Sequence, residues 1–171
     1  MLALLSSCAF VPKLPAANFK YYGNIAPVGY FDPLNIASEK NVKYLREAEL
    51  QHGRLAMVAA VALPMLELMN SEKLSINYLA DMEFGSQLPF WYSMAILEFY
   101  RMYNGWNNPF IGDNRSTFTI GEKYQPGNLI NINPDIVSER RYNSELSNGR
   151  LAMLAVAHIV GSELVTGQSI F

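Results

Sequence analysis

The sequence predicts an all-α membrane protein with three transmembrane helices, the first and third crossed and related by pseudo-two-fold symmetry, the middle one shorter. Three observations carry that expectation: a composition poor in charge, a nine-residue motif that occurs twice, and an uneven spread of basic residues. Half of the 171 residues are apolar and only 16% are charged, below the roughly 25% of soluble domains. Thirteen Lys and Arg against fifteen Asp and Glu leave a near-neutral chain, which disfavours a nucleic-acid partner. Cys8 is the only cysteine, so an internal disulfide and a cysteine-based zinc site are excluded. The length suits one domain, 1–171, with 1–30 as an amino-terminal extension.

The first span is predicted over about 41–69. Its apolar run, Leu55 to Leu66, stops at Glu67 and is short of the roughly 18 residues a spanning helix needs. Continued upstream through Glu49, however, about 28 residues give roughly 42 Å, enough to cross a bilayer with tilt. Pro64 should bend this helix near its exit. The same extension through Glu145 makes the run Leu151 to Ser162 a span over about 138–166. The middle segment, about 88–103, carries only Glu98 and Arg101 as charges among Phe, Tyr, Met and Ile. Lys13, Lys20, Lys40, Lys43 and Arg46 precede the first span, and Arg115, Lys123, Arg140 and Arg141 precede the last, whereas the loop 70–88 holds only Lys73. Three crossings put both basic regions on one, cytoplasm-like, side with the amino terminus. Trp91, Tyr92, Tyr100, Tyr103 and Trp106 fit an interfacial belt.

A shift of 96 residues lays Glu49-Leu-Gln-His-Gly-Arg-Leu-Ala-Met57 on Glu145-Leu-Ser-Asn-Gly-Arg-Leu-Ala-Met153 and Glu67-Leu68 on Glu163-Leu164; ten of 21 aligned positions are identical. Two related helices follow, with Gly53 and Gly149 where two backbones can approach closely. Ordinary small-residue packing explains those glycines equally well and is compatible with the same arrangement.

A Glu and an Arg in each span would cost about 2.5–3.5 kcal/mol per charge, roughly 10 kcal/mol for four, unless compensated. Glu49 and Arg54 lie five residues apart, about 140° around the helix, so they do not face one another. Pairing across the crossing, Glu49 with Arg150 and Arg54 with Glu145, neutralises all four. As purely structural pairs these would specify register more than they stabilise. Glu49 and His52, like Glu145 and Asn148, also set two oxygen or nitrogen donors on one face. A paired carboxylate retains lone pairs, and single axial donors suit a metal whose other ligands come from a macrocycle, as in the magnesium of a chlorophyll. Glu49-x-x-His52 is also the spacing of di-iron bundles, which need a second such pair and two more carboxylates. The second copy has Asn148, and each copy adds an arginine that would repel the irons.

The two motifs resemble the first and third helices of the light-harvesting chlorophyll-binding superfamily, and REAELQHGR is similar to its red-lineage branch, which includes fucoxanthin chlorophyll a/c-type and related algal antenna proteins. The resemblance covers Phe31 to Gly167. It implies three membrane helices holding chlorophylls and carotenoids, with Glu49, His52, Glu145 and Asn148 as axial magnesium ligands and Arg54 and Arg150 neutralising the glutamates. Glu98 with Arg101 resembles the family's Glu-x-x-Arg, making Glu98 a fifth ligand. The family's Gln fourteen residues after Asn148 is Ser162 here, with His158 one turn earlier as a substitute; Gln87 is a similar weak candidate. A lone histidine in a helix more often packs than ligates. Phe31-Asp32-Pro33-Leu34 resembles the loop that caps a xanthophyll end ring, through Asp32 and Pro33, and Asn131-Ile-Asn-Pro-Asp135 is a degraded second copy; turn chemistry alone also accounts for both. Carotenoids would lie against Ala56, Ala59, Ala152 and Ala155, alanines that would serve equally to pack bare helices.

The resemblance implies a non-enzymatic antenna that absorbs light and passes excitation to a photosystem core, I or II. Its cofactors would be chlorophyll a, an accessory chlorophyll of type c in preference to b, and xanthophylls. Its surroundings would be neighbouring antenna subunits and thylakoid lipids in a plastid, with the amino terminus stromal and the carboxyl terminus lumenal. The alternative within the superfamily is photoprotective quenching, with Glu67, Glu72, Asp81, Glu83 and Glu163 as lumenal acids able to sense pH, although loop acids are usually just solvated; a di-iron enzyme is the remote alternative. Met1 to Phe10 resembles an Ala-Phe leader cleavage site with a short apolar core.

Overall fold

The computed structural model describes residues 22–24, 29–38, 41–69, 74–107, 120–121, 124–129 and 138–169. The leader-like segment 1–10, Glu72 and the approach segment 131–135 lie outside them. Helix α1 runs Val42–Met69, a 3-10 turn Ser75–Asn77 leads into the short α2, Tyr78–Asp81, α3 runs Phe84–Gly105, and α4 runs Glu139–Thr166. Among the described residues there is no strand, only an isolated bridge between Trp106 and Ile120.

The two 28-residue helices, α1 and α4, are each long and apolar enough to cross a membrane. Their starts and stops follow local chemistry. Before α1, the Asp32 carboxylate accepts the Ile36 and Ala37 amides at 3.1 and 3.0 Å, closing a loop four to five residues long ahead of the helix. The Asn41 carbonyl then accepts the first helical bond, from Leu45 at 2.9 Å. At the other end of the molecule α4 stops at Gly167, whose φ of 65° is left-handed and whose amide returns to the Glu163 carbonyl at 2.9 Å. Pro64 lies inside α1 without ending it.

The crossing is built by equivalent residues of the repeat. Leu50, Gly53 and Ala56 are buried on α1, and Leu146, Gly149 and Ala152, each 96 positions on, are buried on α4. A Cβ on Gly53 would sit 3.2 Å from the Gly149 Cα, and one on Gly149 would sit 3.0 Å from the Gly53 Cα. Two backbones therefore touch, and no side chain could step aside. Ala56 and Ala152, expected beside carotenoids, are instead inside this contact, while Ala155 is exposed.

The buried apolar core is small, because both helices turn most of their large side chains outward. Val58, Leu151 and Leu154 are 68, 67 and 71% exposed, and Phe99 and Tyr103 on α3 are 72 and 80% exposed. So much bare apolar surface is not a water-soluble exterior.

Two elements differ from the sequence reading. The middle helix begins at Phe84, one turn earlier than expected, so Pro89 is inside it rather than at its start. The Gln87 side chain donates to the Met82 carbonyl at 2.8 Å and ties that added turn down. The segment read as a plain loop contains the 3-10 turn and α2, which owe their place to a tertiary contact. Ser75 Oγ donates to Glu163 Oε1, and the Ile76 amide donates to Glu163 Oε2 at 3.1 Å. Glu67 and Glu163, expected to be solvated, are 2 and 1% exposed, whereas Asp81 and Glu83 are exposed.

Gly149→Val should destabilise the protein by about 1–3 kcal/mol, because overpacking at a backbone contact cannot be relieved by a rotamer change. Gly161→Ala, where a Cβ meets only open space, should stabilise by about 0.5–1 kcal/mol. Thermal unfolding followed by helical circular dichroism measures both, and equal shifts would contradict the backbone contact.

Candidate functional site

The repeated Glu and Arg side chains meet across the crossing. Arg54 Nε donates to Glu145 Oε1 at 2.6 Å, and Arg150 Nε donates to Glu49 Oε1 at 2.7 Å. Each pair is about one third exposed, so each lies at the edge of the contact rather than in its centre.

Each arginine has a second acceptor that the sequence did not disclose. Arg54 Nη2 donates to the Gly127 carbonyl at 2.8 Å, and Arg150 Nη1 donates to the Gly23 carbonyl at 3.1 Å. The amides of the same glycines donate to the helices, Gly127 to Glu47 Oε2 at 2.6 Å and Gly23 to Asn143 Oδ1 at 3.0 Å. Glu47 and Asn143 are themselves 96 residues apart. Both glycines have positive φ, 84° and 100°. A Cβ would strike Leu50 Cδ1 at 2.6 Å from Gly127 and Leu146 Cδ1 at 2.9 Å from Gly23. The duplication thus extends to a loop clamp on each helix. Its only trace in the sequence is the dipeptide Gly-Asn, at Gly23-Asn24 and Gly127-Asn128.

The two carboxylates are not equally free. Among the described residues Glu145 Oε2 has no donor, whereas Glu49 Oε2 accepts from Arg46 Nη1. Arg46 is 6% exposed and was not singled out by the sequence reading. His52 is exposed, with Nδ1 2.8 Å from the Ala48 carbonyl. A carbonyl can only accept, so the proton is on Nδ1 and the Nε2 lone pair is left for an external ligand. Asn148, at the equivalent place on α4, is also exposed.

On α3, Arg101 donates through both Nε, at 3.0 Å, and Nη2 to one oxygen of Glu98, Oε2. Among the described residues Glu98 Oε1 has no donor, and the side chain is 47% exposed. His158 is exposed on α4, and Ser162 Oγ donates to the Ile159 carbonyl at 2.8 Å. Gln87 is already engaged, its Oε1 accepting from Trp91 Nε1 at 3.2 Å. Asp32 lines a cavity of about 300 Å³ together with Tyr30, Phe31, Arg46, Glu49 and Arg150; Pro33 does not line it.

Glu47 is the second residue that sequence reasoning missed. It is 2% exposed and accepts from the Gly127 amide, from Gln51 Nε2 at 2.9 Å and from the Tyr124 hydroxyl at 3.4 Å. Burial, with the Glu47 carboxylate adding to it, pushes the Tyr124 hydroxyl up to about 12. Tyr124 therefore remains a donor to Glu47 at any physiological pH.

Fold and site together define a class: a helical protein with two membrane-length helices tied by reciprocal ion pairs, carrying open nitrogen and oxygen donors on an apolar exterior. The family described as chlorophyll A-B binding protein matches residues 19–167. The chain is 31% identical to light-harvesting complex stress-related protein 3.2 of Chlamydomonas reinhardtii over 180 residues, covering 95% of this chain and 67% of that protein. It is 33% identical to the fucoxanthin-chlorophyll a-c binding protein of Isochrysis galbana over 187 residues, covering 97 and 88%. With chlorophyll a-b binding protein 4 of Arabidopsis thaliana the identity is 29% over 164 residues, covering 87 and 65%. The chain belongs to the chlorophyll a-b binding, light-harvesting family.

Arg54→Leu should cost about 1–3 kcal/mol, between the values for exposed and buried ion pairs, since it strands Glu145 and frees the Gly127 carbonyl. Tyr124 stabilises the fold fully below its ordinary value near 10, and the contribution is lost as pH rises through about 12. Tyr124→Phe should therefore lower stability at neutral pH by about 1 kcal/mol and flatten the alkaline fall in melting temperature. An unchanged alkaline limb would remove Tyr124 from the clamp.

Proposed function

We propose that this protein is a thylakoid antenna in which α1, α3 and α4 all span the membrane, α1 and α4 related by a pseudo-two-fold axis, and the whole of 1–171 forms one pigment-binding domain. The observation that carries the reading is the set of donors left open beside the ion pairs: Glu145 Oε2, Glu98 Oε1, the outward Nε2 of His52 and the exposed amide of Asn148. Each is a single axial ligand on a surface too apolar for water. Such donors fit the magnesium of chlorophyll, whose ring supplies the remaining ligands and absorbs the light.

The chain's own residues then perform distinct tasks. Glu49, His52, Glu145, Asn148 and Glu98 hold pigments at fixed positions, with His158 and Gln87 as accessory candidates. Arg54 and Arg150 neutralise the carboxylates, so that each ligand can be anionic without an uncompensated charge in the membrane. The cavity beside Asp32, with Pro33 at its turn, receives the end of a xanthophyll. The exposed apolar faces of α1, α3 and α4 accept pigment tails, carotenoids and lipid. The pigments are chlorophyll a, an accessory chlorophyll, c rather than b, and carotenoids; the similarity to the fucoxanthin-chlorophyll a-c binding protein supports that choice. The protein has no catalytic step. It places pigments in plastid thylakoids, next to a photosystem core and other antenna subunits, with its amino terminus stromal and carboxyl terminus lumenal.

A second reading, photoprotective quenching, is favoured by one specific feature, the buried carboxyls of Glu67 and Glu163 with Ser75 at the far end of the crossing. The similarity to stress-related relatives points the same way. A di-iron enzyme is disfavoured by its ligand needs: Asn148 stands where a second histidine is required, and Arg54 and Arg150 engage the carboxylates of Glu145 and Glu49.

Protein refolded with a plastid pigment extract should carry chlorophyll and carotenoid in fixed ratio. His52→Leu should lose one chlorophyll with little change in stability, and Arg54→Leu should lose the pigment at Glu145 as well as stability. Chromatographic pigment analysis reads both, and a full complement in both variants would overturn the site assignments. Fluorescence lifetime at pH 7.5 and pH 5, as round working values, then decides between the readings: a constant lifetime belongs to a harvester, a shortened one to a quencher.

A further inference from the structure

Helix α3 is attached to the rest of the described protein at one end. Asn104 Nδ2 donates to the Leu129 carbonyl at 3.1 Å, the Gly105 carbonyl accepts from the Gly121 amide at 2.9 Å, and Trp106 meets the Tyr44 ring edge to face at 6.2 Å. The one charged link in this group is Arg101. Its guanidinium is 18% exposed and lies between two carboxylates, Glu98 on its own helix and Glu47 on α1, with Nη1 3.9 Å from Glu47 Oε1.

These two carboxylates differ in kind. Glu98 is half exposed and three residues from Arg101 on the same helix, a spacing whose pairs are weak when solvated and do not by themselves hold one rotamer. Glu47 is buried and immobilised by neutral donors: the Gly127 amide, Gln51 Nε2 and the Tyr124 hydroxyl. It needs no help from Arg101 to stay in place, and so acts as a fixed anionic post toward which Arg101 is drawn. At the equivalent position of α4 stands Asn143, which is uncharged. Only one of the two loop clamps therefore carries a charge that can reach a third helix.

We propose that Glu47 is a positioning residue for the pigment site on α3: it fixes the Arg101 guanidinium, and Arg101, donating twice to Glu98 Oε2, turns Glu98 Oε1 outward as the open axial oxygen. This rests on the reading of Glu98 as a chlorophyll ligand. Glu47 touches no pigment in this scheme. It acts through Arg101, and it makes occupancy of the α3 site depend on the stromal turn that holds Glu47 in place.

The test compares Glu98→Leu, Glu47→Gln and Arg101→Leu in the full chain refolded with a chlorophyll and carotenoid extract. Glu47→Gln retains one oxygen for the Gly127 amide, removes the charge, and replaces the other oxygen with an NH2 group that faces Gln51 Nε2. All three variants should lose the same chlorophyll, seen as one fewer chlorophyll per protein and as superimposable difference spectra in the red absorption region. Combining Glu47→Gln with Arg101→Leu should remove nothing further, because the two residues act in series. Loss in Glu98→Leu with full occupancy in Glu47→Gln overturns the positioning role and leaves the ligand assignment intact. Full occupancy in Glu98→Leu overturns the ligand assignment, and the proposal falls with it. If Glu47→Gln yields no folded protein, Glu47→Asp retains the charge and retracts it by one methylene. That variant should lower occupancy of the same site alone, and even losses across all sites would mean that Glu47 serves only the fold.

Discussion

The structure depends on a contact between two glycines, closed on either side by a carboxylate and a guanidinium from opposite helices. Without side chains at Gly53 and Gly149, the axes of α1 and α4 come close enough for Arg54 to reach Glu145 and Arg150 to reach Glu49. The order of cause matters. Interhelical ion pairs of this length are possible only because the backbones touch, and the pairs in turn hold the backbones in that register.

The same economy of side chains leaves the protein incomplete by itself. Two helices that meet at a narrow crossing bury Leu50, Ala56, Leu146 and Ala152 and little more, while large apolar residues cover the outer faces. A soluble protein would close that surface with further helices. Here α3 is fastened at its carboxyl-terminal end, and its remaining length presents Phe90, Trp91, Tyr92, Ile96 and Phe99 outward. Open donors among such residues accord with a family whose members bind chlorophyll.

The two halves resemble each other beyond the helices. A left-handed glycine on each side donates its amide to a side chain three residues before the buried leucine and lends its carbonyl to the arginine. What differs is the acceptor of the amide, Glu47 on α1 and Asn143 on α4. Glu47 thereby adds a charge that Asn143 does not carry, 3.9 Å from Arg101 on the middle helix. The far end carries a further contact: Glu163 takes Ser75 and the Ile76 amide, and so fastens the short α2.

Much of this was legible from residues alone. The 96-residue repeat, the helical angle between Glu49 and Arg54 and the cost of bare charge in lipid require crossed helices with reciprocal pairs, because periodicity and charge balance are local properties of the chain. Resemblance to a family supplied the reading of Glu98. The tertiary structure decided everything that joins segments distant in sequence and carries no repeated pattern of its own: the loop clamps of Gly23 and Gly127, the burial of Glu47, Glu67 and Glu163, the docking of α2 and the start of α3 ahead of Pro89. A lone glycine or glutamate reads the same whether it faces water or seals a helix. Only the neighbour that folding brings beside it sets whether its amide, carbonyl or charge is left open or engaged.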